Sequence, residues 1–223
     1  MDTIPNTTHP TMQLRPAIVV AGGRMHTTPF AEPGTTVIAA DSGYDHAVAA
    51  GLDVDLLIGD LDSISPEGLA HASSRGVRID RHDPDKDLTD LELAMRAALS
   101  LGATSIDIHG GEDGRVAHLL GVALGMATAF ADGVPIAWHT ATGVVRVVSP
   151  TRSLSLHGTI GGQVSIIPIG DAGGITTSGL RWPLAGDDLP SGTSHGLSNE
   201  ITDRNVSVAI ESGYAFVVLE QGT

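Results

Sequence analysis

Residues 56–63 read Leu56-Leu57-Ile58-Gly59-Asp60-Leu61-Asp62-Ser63. Three consecutive apolar residues with no polar alternation read as a short strand covered on both faces. The glycine and the two acids after them end that strand in a turn. A buried strand that opens directly into carboxylates is the pattern of an α/β sheet whose loops carry the chemistry, and the rest of the N-terminal half repeats it.

Outward from this stretch, apolar runs at Ala17–Ala21, Val37–Ala40, Val77–Ile79, Ser105–Ile108 and Pro135–Trp138 alternate with helical patterns. The helices are expected near Tyr44–Ala50, Pro66–Ser74, Asp90–Leu101 and Arg115–Ala131. Ser65 before Pro66 fits an N-cap followed by the first helical position. Thr89 with Glu92 three residues on fits a capping box, and Leu88, Leu91, Met95, Ala98 and Leu99 then recur at helical spacing. Strand–helix alternation of this kind predicts an α/β layer with a mainly parallel sheet. After Thr140 the texture changes. Short β-rich runs at Val144–Val148, Leu154–Leu156, Val164–Ile167, Val206–Ile210 and Ala215–Leu219 are separated by Gly, Pro, Ser and Asp, which predicts a small antiparallel sandwich or partial barrel. The expected division is a flexible tail over 1–16, an α/β unit over 17–141 and a β unit over 142–223.

Bulk composition narrows the function classes. The chain has 223 residues, enough for one large domain or two small ones. Aromatics are only 3%, so Val, Ile, Leu and Ala must fill the core. A formal charge of −14 argues against a broad nucleic-acid surface, although divalent cations can still bring phosphates to an acidic protein. The absence of cysteine removes thiolate metal sites, disulfides and Cys nucleophiles. Residues 1–16 are polar, broken by Pro5, Pro10 and Pro16, and lack the apolar core of a secretory signal. The apolar stretch Leu119–Ala131 is too short to span a bilayer. A cytoplasmic protein without membrane or nucleic-acid partners is the expectation.

The acids are placed non-randomly. Asp41 follows Val37–Ala40, Asp60 and Asp62 follow Leu56–Ile58, and Asp83, Asp85, Asp87 and Asp90 follow Val77–Ile79 around Lys86. In a parallel sheet these loops share the C-terminal edge, where open α/β sheets bind ligands. Asp60 and Asp62, two apart on an extended segment, would share one side. Converging carboxylates need cations to coexist, and an oxygen-only donor set favours Mg²⁺. Taken singly, each Asp is equally at home as a turn former or helix cap. The loop Gly110-Gly111-Glu112-Asp113-Gly114-Arg115 opens a helix; it reads either as a phosphate cradle with Arg115 as clamp or as an ordinary Gly-rich turn. His118, one turn further, is more commonly packed or exposed than catalytic.

These residues resemble the thiamine pyrophosphokinase family. Ala40-Asp41-Ser42-Gly43, Gly59-Asp60-Leu61-Asp62-Ser63, Lys86-Asp87-Leu88-Thr89-Asp90-Leu91-Glu92 and Gly114-Arg115-Val116-Ala117-His118 match its ADSG, GDxDS, KDxTDxE and GRxDH segments in order. Val164–Pro168, Gly179–Leu184 and Gly196–Glu200 resemble its C-terminal runs. The resemblance implies a Rossmann-like catalytic domain, a C-terminal β-sandwich and a homodimer with thiamine at the interface. It implies transfer of pyrophosphate from ATP to thiamine, giving thiamine diphosphate and AMP. The metal would be held by Asp41, Asp60, Asp62 and Asp90, with Asp60, Asp62, Asp87 and Asp90 catalytic. ATP and its cation would meet Asp41, Ser63, Lys86, Gly114, Arg115 and His118, while Ser198, Asn199 and Trp182 would contact thiamine. For Trp182, a packed sandwich aromatic is an equal alternative. The chain departs from the pattern at Ala117, where the family has Asp, and at Gly121, where it has Asn; Asp113 stands at a Gly position. Ala117 leaves room for a diphosphokinase acting on another hydroxymethyl acceptor, such as a pterin, and for a non-catalytic thiamine or nucleotide sensor.

Overall fold

The computed structural model describes residues 14–112, 116–130 and 133–220. The fold is mixed α/β, built on one large mixed sheet. Its N-terminal half runs β1 (Arg15–Val20), β2 (Thr36–Ala40), α1 (Gly43–Ala49), β3 (Leu56–Gly59), α2 (Pro66–Arg75), β4 (Arg78–Arg81), α3 (Asp90–Ser100), β5 (Ala103–His109), α4 (Val116–Phe130) and β6 (Ile136–His139). Strands follow as β7 (Gly143–Val148), β8 (Leu154–His157), β9 (Gln163–Ser178), β10 (Ala185–Leu189), β11 (Asn199–Glu200), β12 (Asn205–Ala209) and β13 (Ser212–Glu220).

Strand order is β4-β3-β2-β1-β5-β6-β7-β13-β9-β12-β8, with β10 and β11 paired to β9. Every pairing among β1–β6 is parallel. The chain lays β2, β3 and β4 outward on one side of β1, then returns through α3 to place β5 and β6 on the other. That reversal opens a crevice beyond the C-terminal ends of β1 and β5. Alternate residues of β1 face opposite layers: Ala17, Val19 and Ala21 pack with Leu91, Met95 and Met126 of α3 and α4, while Ile18 and Val20 pack on Ala47 of α1. Helices thus cover both faces of the central strands, which is why β2, β3 and the second half of β1 are continuously apolar, whereas the edge strand β4 is polar and mostly exposed.

Local signals behave as their chemistry requires. The Ser65 side chain accepts from Gly68 N at 2.9 Å and Thr89 Oγ1 from Glu92 N at 3.2 Å, capping α2 and α3. The reciprocal half of the capping box is not made, because Glu92 Oε1 pairs with Arg96 at 2.8 Å instead.

Two features of the C-terminal half could not be read from sequence. First, it joins the N-terminal half through a tight turn. Thr140 and Gly143 close a tight turn, with Thr140 N donating to Gly143 O at 2.9 Å, and β7 returns antiparallel on β6. Second, β7 and β13 form a shared wall: Val147 and Phe216 pack into the helical core, while Val148, Ala215 and Val217 pack into the β core. β9 is 16 residues long and runs through Gly170, Gly173 and Gly174, which in sequence read as breaks. It continues because it changes partners along its length, pairing with β13 near its start and with β10 and β12 further on. The first strand begins at Arg15, so the expected tail over 1–16 overlaps it; residues 1–13 lie outside the described residues.

Candidate active site

The parallel strands deliver their following loops to one edge, and these loops line a cleft of about 410 Å³. Ala21–Gly23 enter from β1, Asp41 and Ser42 from β2, Ser63 from β3, Pro84, Lys86 and Leu88 from the loop after β4, Thr89, Asp90 and Leu91 from the start of α3, and Gly111 from β5; His118 and Val122 close it from α4. Two glycines explain how these loops come so close. A Cβ on Gly43 would stand 2.0 Å from Val20 O, so only glycine lets α1 begin against β1. Gly110 has φ +84°, and its Cβ would meet Ala21 O at 2.7 Å.

Asp41, Asp60 and Asp62 each offer a carboxylate oxygen, all within 4.8 Å of one another. Two of the three depend on left-handed backbone, at Asp41 itself (φ 50°) and at Leu61 between the other two (φ 65°). The segment is therefore a tight turn, not the extended run expected from the two-residue spacing; Asp62 N closes it by donating to Asp60 Oδ1 at 3.2 Å. Left-handed conformations at non-glycine residues cost about 1–3 kcal/mol each and persist where the surroundings enforce them. Here the enforcement comes from Asp41. Its buried carboxylate accepts from Ser63 Oγ at 2.6 Å, Ser63 N at 3.3 Å and Ile64 N at 3.2 Å. Most of its lone pairs are therefore committed to shaping the loop.

Lys86 is the cation of the site. Its Nζ lies 2.9 Å from Asp60 Oδ2 and 3.0 Å from Asp90 Oδ1, with both loops closing around it. The hydrogen bond from Lys86 holds Asp60 below the usual carboxylate range. Burial works against the ammonium, but its bonds to Asp60 and Asp90 outweigh that and raise its pKa. Asp62 has no such partner, and the charges of Asp60 and then Asp41 push it up.

The residues singled out from sequence sort as follows. Asp41, Asp60 and Asp62 cluster; Asp90 stands apart from them and joins through Lys86. Asp87 is exposed and does not line the cleft. Ser63 lines it and is bonded to Asp41; His118 also lines it, from the first turn of α4. Gly114 and Arg115, with Asp113, lie outside the described residues. Ser198, Asn199 and Trp182 do not line the cleft. Asn199 is buried and spends its amide on one backbone, accepting from Trp182 N at 3.1 Å and donating to Trp182 O at 2.6 Å. Both bonds fix the Trp182 turn. Trp182 stays mostly exposed, with the Arg181 guanidinium 5.1 Å from its ring centroid. Gly22 and Gly23 were overlooked in sequence; the signal was there, a Gly-Gly pair immediately after the first strand.

Fold and site together define an α/β enzyme class that gathers an oxygen-only cation cluster in the crevice of an open sheet, an arrangement suited to phosphate chemistry. The comparisons narrow this. Residues 30–137 match the model of the thiamin pyrophosphokinase catalytic domain, and residues 153–215 that of the thiamin pyrophosphokinase vitamin B1 binding domain. The chain belongs to the thiamine pyrophosphokinase family. It is 23% identical to the thiamine pyrophosphokinase of Bacillus subtilis (strain 168) over 205 residues, 90% of this chain and 96% of that protein. The crystal structure of thiamine pyrophosphokinase from Bacillus subtilis superposes with a TM-score of 0.84 at 22% identity, covering 94% of this chain and all of that one. Thiamin pyrophosphokinase from Candida albicans superposes at 0.75 with 11% identity, over 94% of this chain and 90% of that one.

Proposed function

We propose that the protein transfers a pyrophosphoryl group from ATP to the hydroxyl of thiamine, releasing AMP and thiamine diphosphate. The observation that carries this reading is the convergence of Asp41, Asp60 and Asp62 within 4.8 Å at the crevice of a sheet whose two halves match the catalytic and B1-binding models. The donor set is carboxylate only, without imidazole or thiolate, which fits a hard divalent cation such as Mg²⁺. When bound, that ion would offset the charge of the phosphates. Asp60 and Asp62 would hold it, with Asp41 orienting both.

The hydroxyl oxygen bonds to the β-phosphorus, the bond from that phosphorus to the oxygen bridging to the α-phosphate breaks, and AMP departs with the bonding pair. The hydroxyl proton passes to the carboxylate cluster. Stabilisation is positional and electrostatic, so rigid delivery of charge matters most. Lys86 faces the phosphate side of the cleft, and the backbone at Gly22–Gly23 and Gly111 lets phosphates approach closely. Arg115, which lies outside the described residues, would clamp a phosphate.

We read the parallel half, with helices on both faces and reversed strand order, as Rossmann-like, the remaining strands as the sandwich, and the turn at Thr140–Gly143 as the boundary. We read the working unit as a homodimer. Two observations support this: α4 leaves Val116, Leu120 and Leu124 exposed on one side, and Trp182 and Ser198 stay off the cleft of their own chain. No helix among the described residues is long and apolar enough to cross a membrane. A reaction that consumes ATP suits the cytoplasm. The test is AMP release from ATP, Mg²⁺ and thiamine, abolished by EDTA. Release with a hydroxymethyl pterin and none with thiamine would overturn the acceptor; thiamine binding without AMP would overturn catalysis.

A further inference from the structure

We propose that Lys86 is a tethered counter-cation, which holds Asp60 and Asp90 together in the metal-free protein and gives up Asp60 when a divalent cation binds there. The inference deepens the functional reading above and rests on it for the identity of the ion.

The geometry carries it. Asp90 Oδ1 is shut off from solvent. The Lys86 ammonium, 3.0 Å away, compensates its charge. The same ammonium is 2.9 Å from Asp60 Oδ2, and the two carboxylates are only 12% and 25% exposed. Buried like charges cannot remain side by side without a cation. Asp90 begins α3 and Asp60 ends β3, so Lys86 ties two separate elements together. Gly59 lies against Asp90, where an added Cβ would come within 3.0 Å of its Oδ1, so little space separates them.

Lys86 is also built to let go. It sits on an exposed turn, held by Lys86 N donating to Asp83 O at 3.3 Å and Asp85 N to Asp83 Oδ1 at 2.9 Å. Only its flexible stem reaches inward, and rotamer changes can swing the ammonium from Asp60 into the cleft it lines while it stays near Asp90. One positive charge thereby leaves Asp60 as another arrives, and the cluster never stands uncompensated.

The test uses the full chain and two variants, Lys86→Met and Lys86→Arg, with Mg²⁺ as sole ligand. In EDTA, Lys86→Met should melt about 4–8 °C below wild type, on the scale of a lost buried ion-pair partner. Saturating Mg²⁺ should return it to within about 2 °C, and Lys86→Arg should lose less than half as much. Titrated without nucleotide, Lys86→Met should bind Mg²⁺ about tenfold more tightly than wild type, since its competitor is gone. A lysine that serves only to bind phosphate leaves metal-only affinity unchanged; that result, or a melting deficit that Mg²⁺ does not repair, overturns the proposal. If Lys86→Met folds only with Mg²⁺ present the proposal stands, and failure with and without the ion overturns it. AMP release by the wild type, measured alongside, tests the functional reading separately.

Discussion

The acid edge of the parallel half and the Trp182–Asn199 corner of the antiparallel half are constructed on opposite plans. At the acid edge, short loops leave the ends of parallel strands, so topology brings Asp41, Asp60 and Asp62 together, with Asp41 also lining the cleft. Strain at Asp41 and Leu61 is held in place by hydrogen bonds from Ser63 and Ile64 to a single carboxylate. At the other corner, Ser198 is again left-handed (φ 54°) and Asn199 clamps the Trp182 backbone, so the turn is equally well fixed. Yet Trp182, Ser198 and Asn199 do not line the cleft of their own chain. The homodimer proposed above would bring this corner to the acid edge of a second copy.

The strongest way to break that comparison is at Asp60. Asp60→Asn should lower kcat by about a thousandfold or more while the melting temperature stays within about 2 °C, measured by AMP release and calorimetry. Next is Trp182→Ala, which should raise the KM for thiamine roughly tenfold or more and leave that for ATP unchanged. Mixing these two impaired variants, assayed at thiamine well below the raised KM, sharpens the point: randomly re-formed dimers should show about a quarter of the wild-type rate, because each mixed dimer holds one intact site. No recovery would place both regions in one protomer. Asp41→Asn and Ser63→Ala should each lower the melting temperature by about 2–6 °C. The double variant should be no worse than Asp41→Asn, since both remove one interaction.

The smallest expected effect lies outside both regions. His109 is buried, bonded through Nδ1 to Thr27 at 2.9 Å and stacked on His139 at 4.5 Å. Burial, and then the charge of His139, lower its pKa to about 4. The unfolded chain binds this proton below about pH 6.5 and the folded one only near pH 4, so stability should fall as pH drops through that window. The effect is confined to that acid window, and His109→Gln should flatten urea-unfolding profiles between about pH 4 and 6.5.

Much of the fold was legible because local chemistry and burial agreed. The central parallel strands fall on apolar runs, the edge strand expected over Val77–Ile79 instead runs Arg78–Arg81 and is mostly exposed, and Ser65 and Thr89 cap the helices they were expected to cap. β9 was not legible beyond Ile167, since its glycines are tolerated only through cross-strand partners far away in sequence. β10 was hidden by Asp187 and Asp188, which face solvent on an edge. In the site, the acids could be named from their positions after strands. Their surroundings could not: Asp41, Asp60, Asp87 and Asp90 look alike in sequence, and only the fold shows that Asp41 holds the Ser63–Ile64 loop, that Asp60 and Asp90 share Lys86 and that Asp87 is exposed.

Strand ends rich in aspartate, with motif spacing to match, were enough by themselves to indicate an α/β sheet, its ligand edge and the chemical family. Three dimensions decided the rest: the wall shared through β7 and β13, the turn that aims Asp60 and Asp62, the Lys86 bridge and the isolation of Trp182 from the cleft. The reason is physical. Strand and helix propensity and charge are properties of neighbouring residues, whereas hydrogen-bond partners and burial depend on which distant segments the fold brings within a few ångströms.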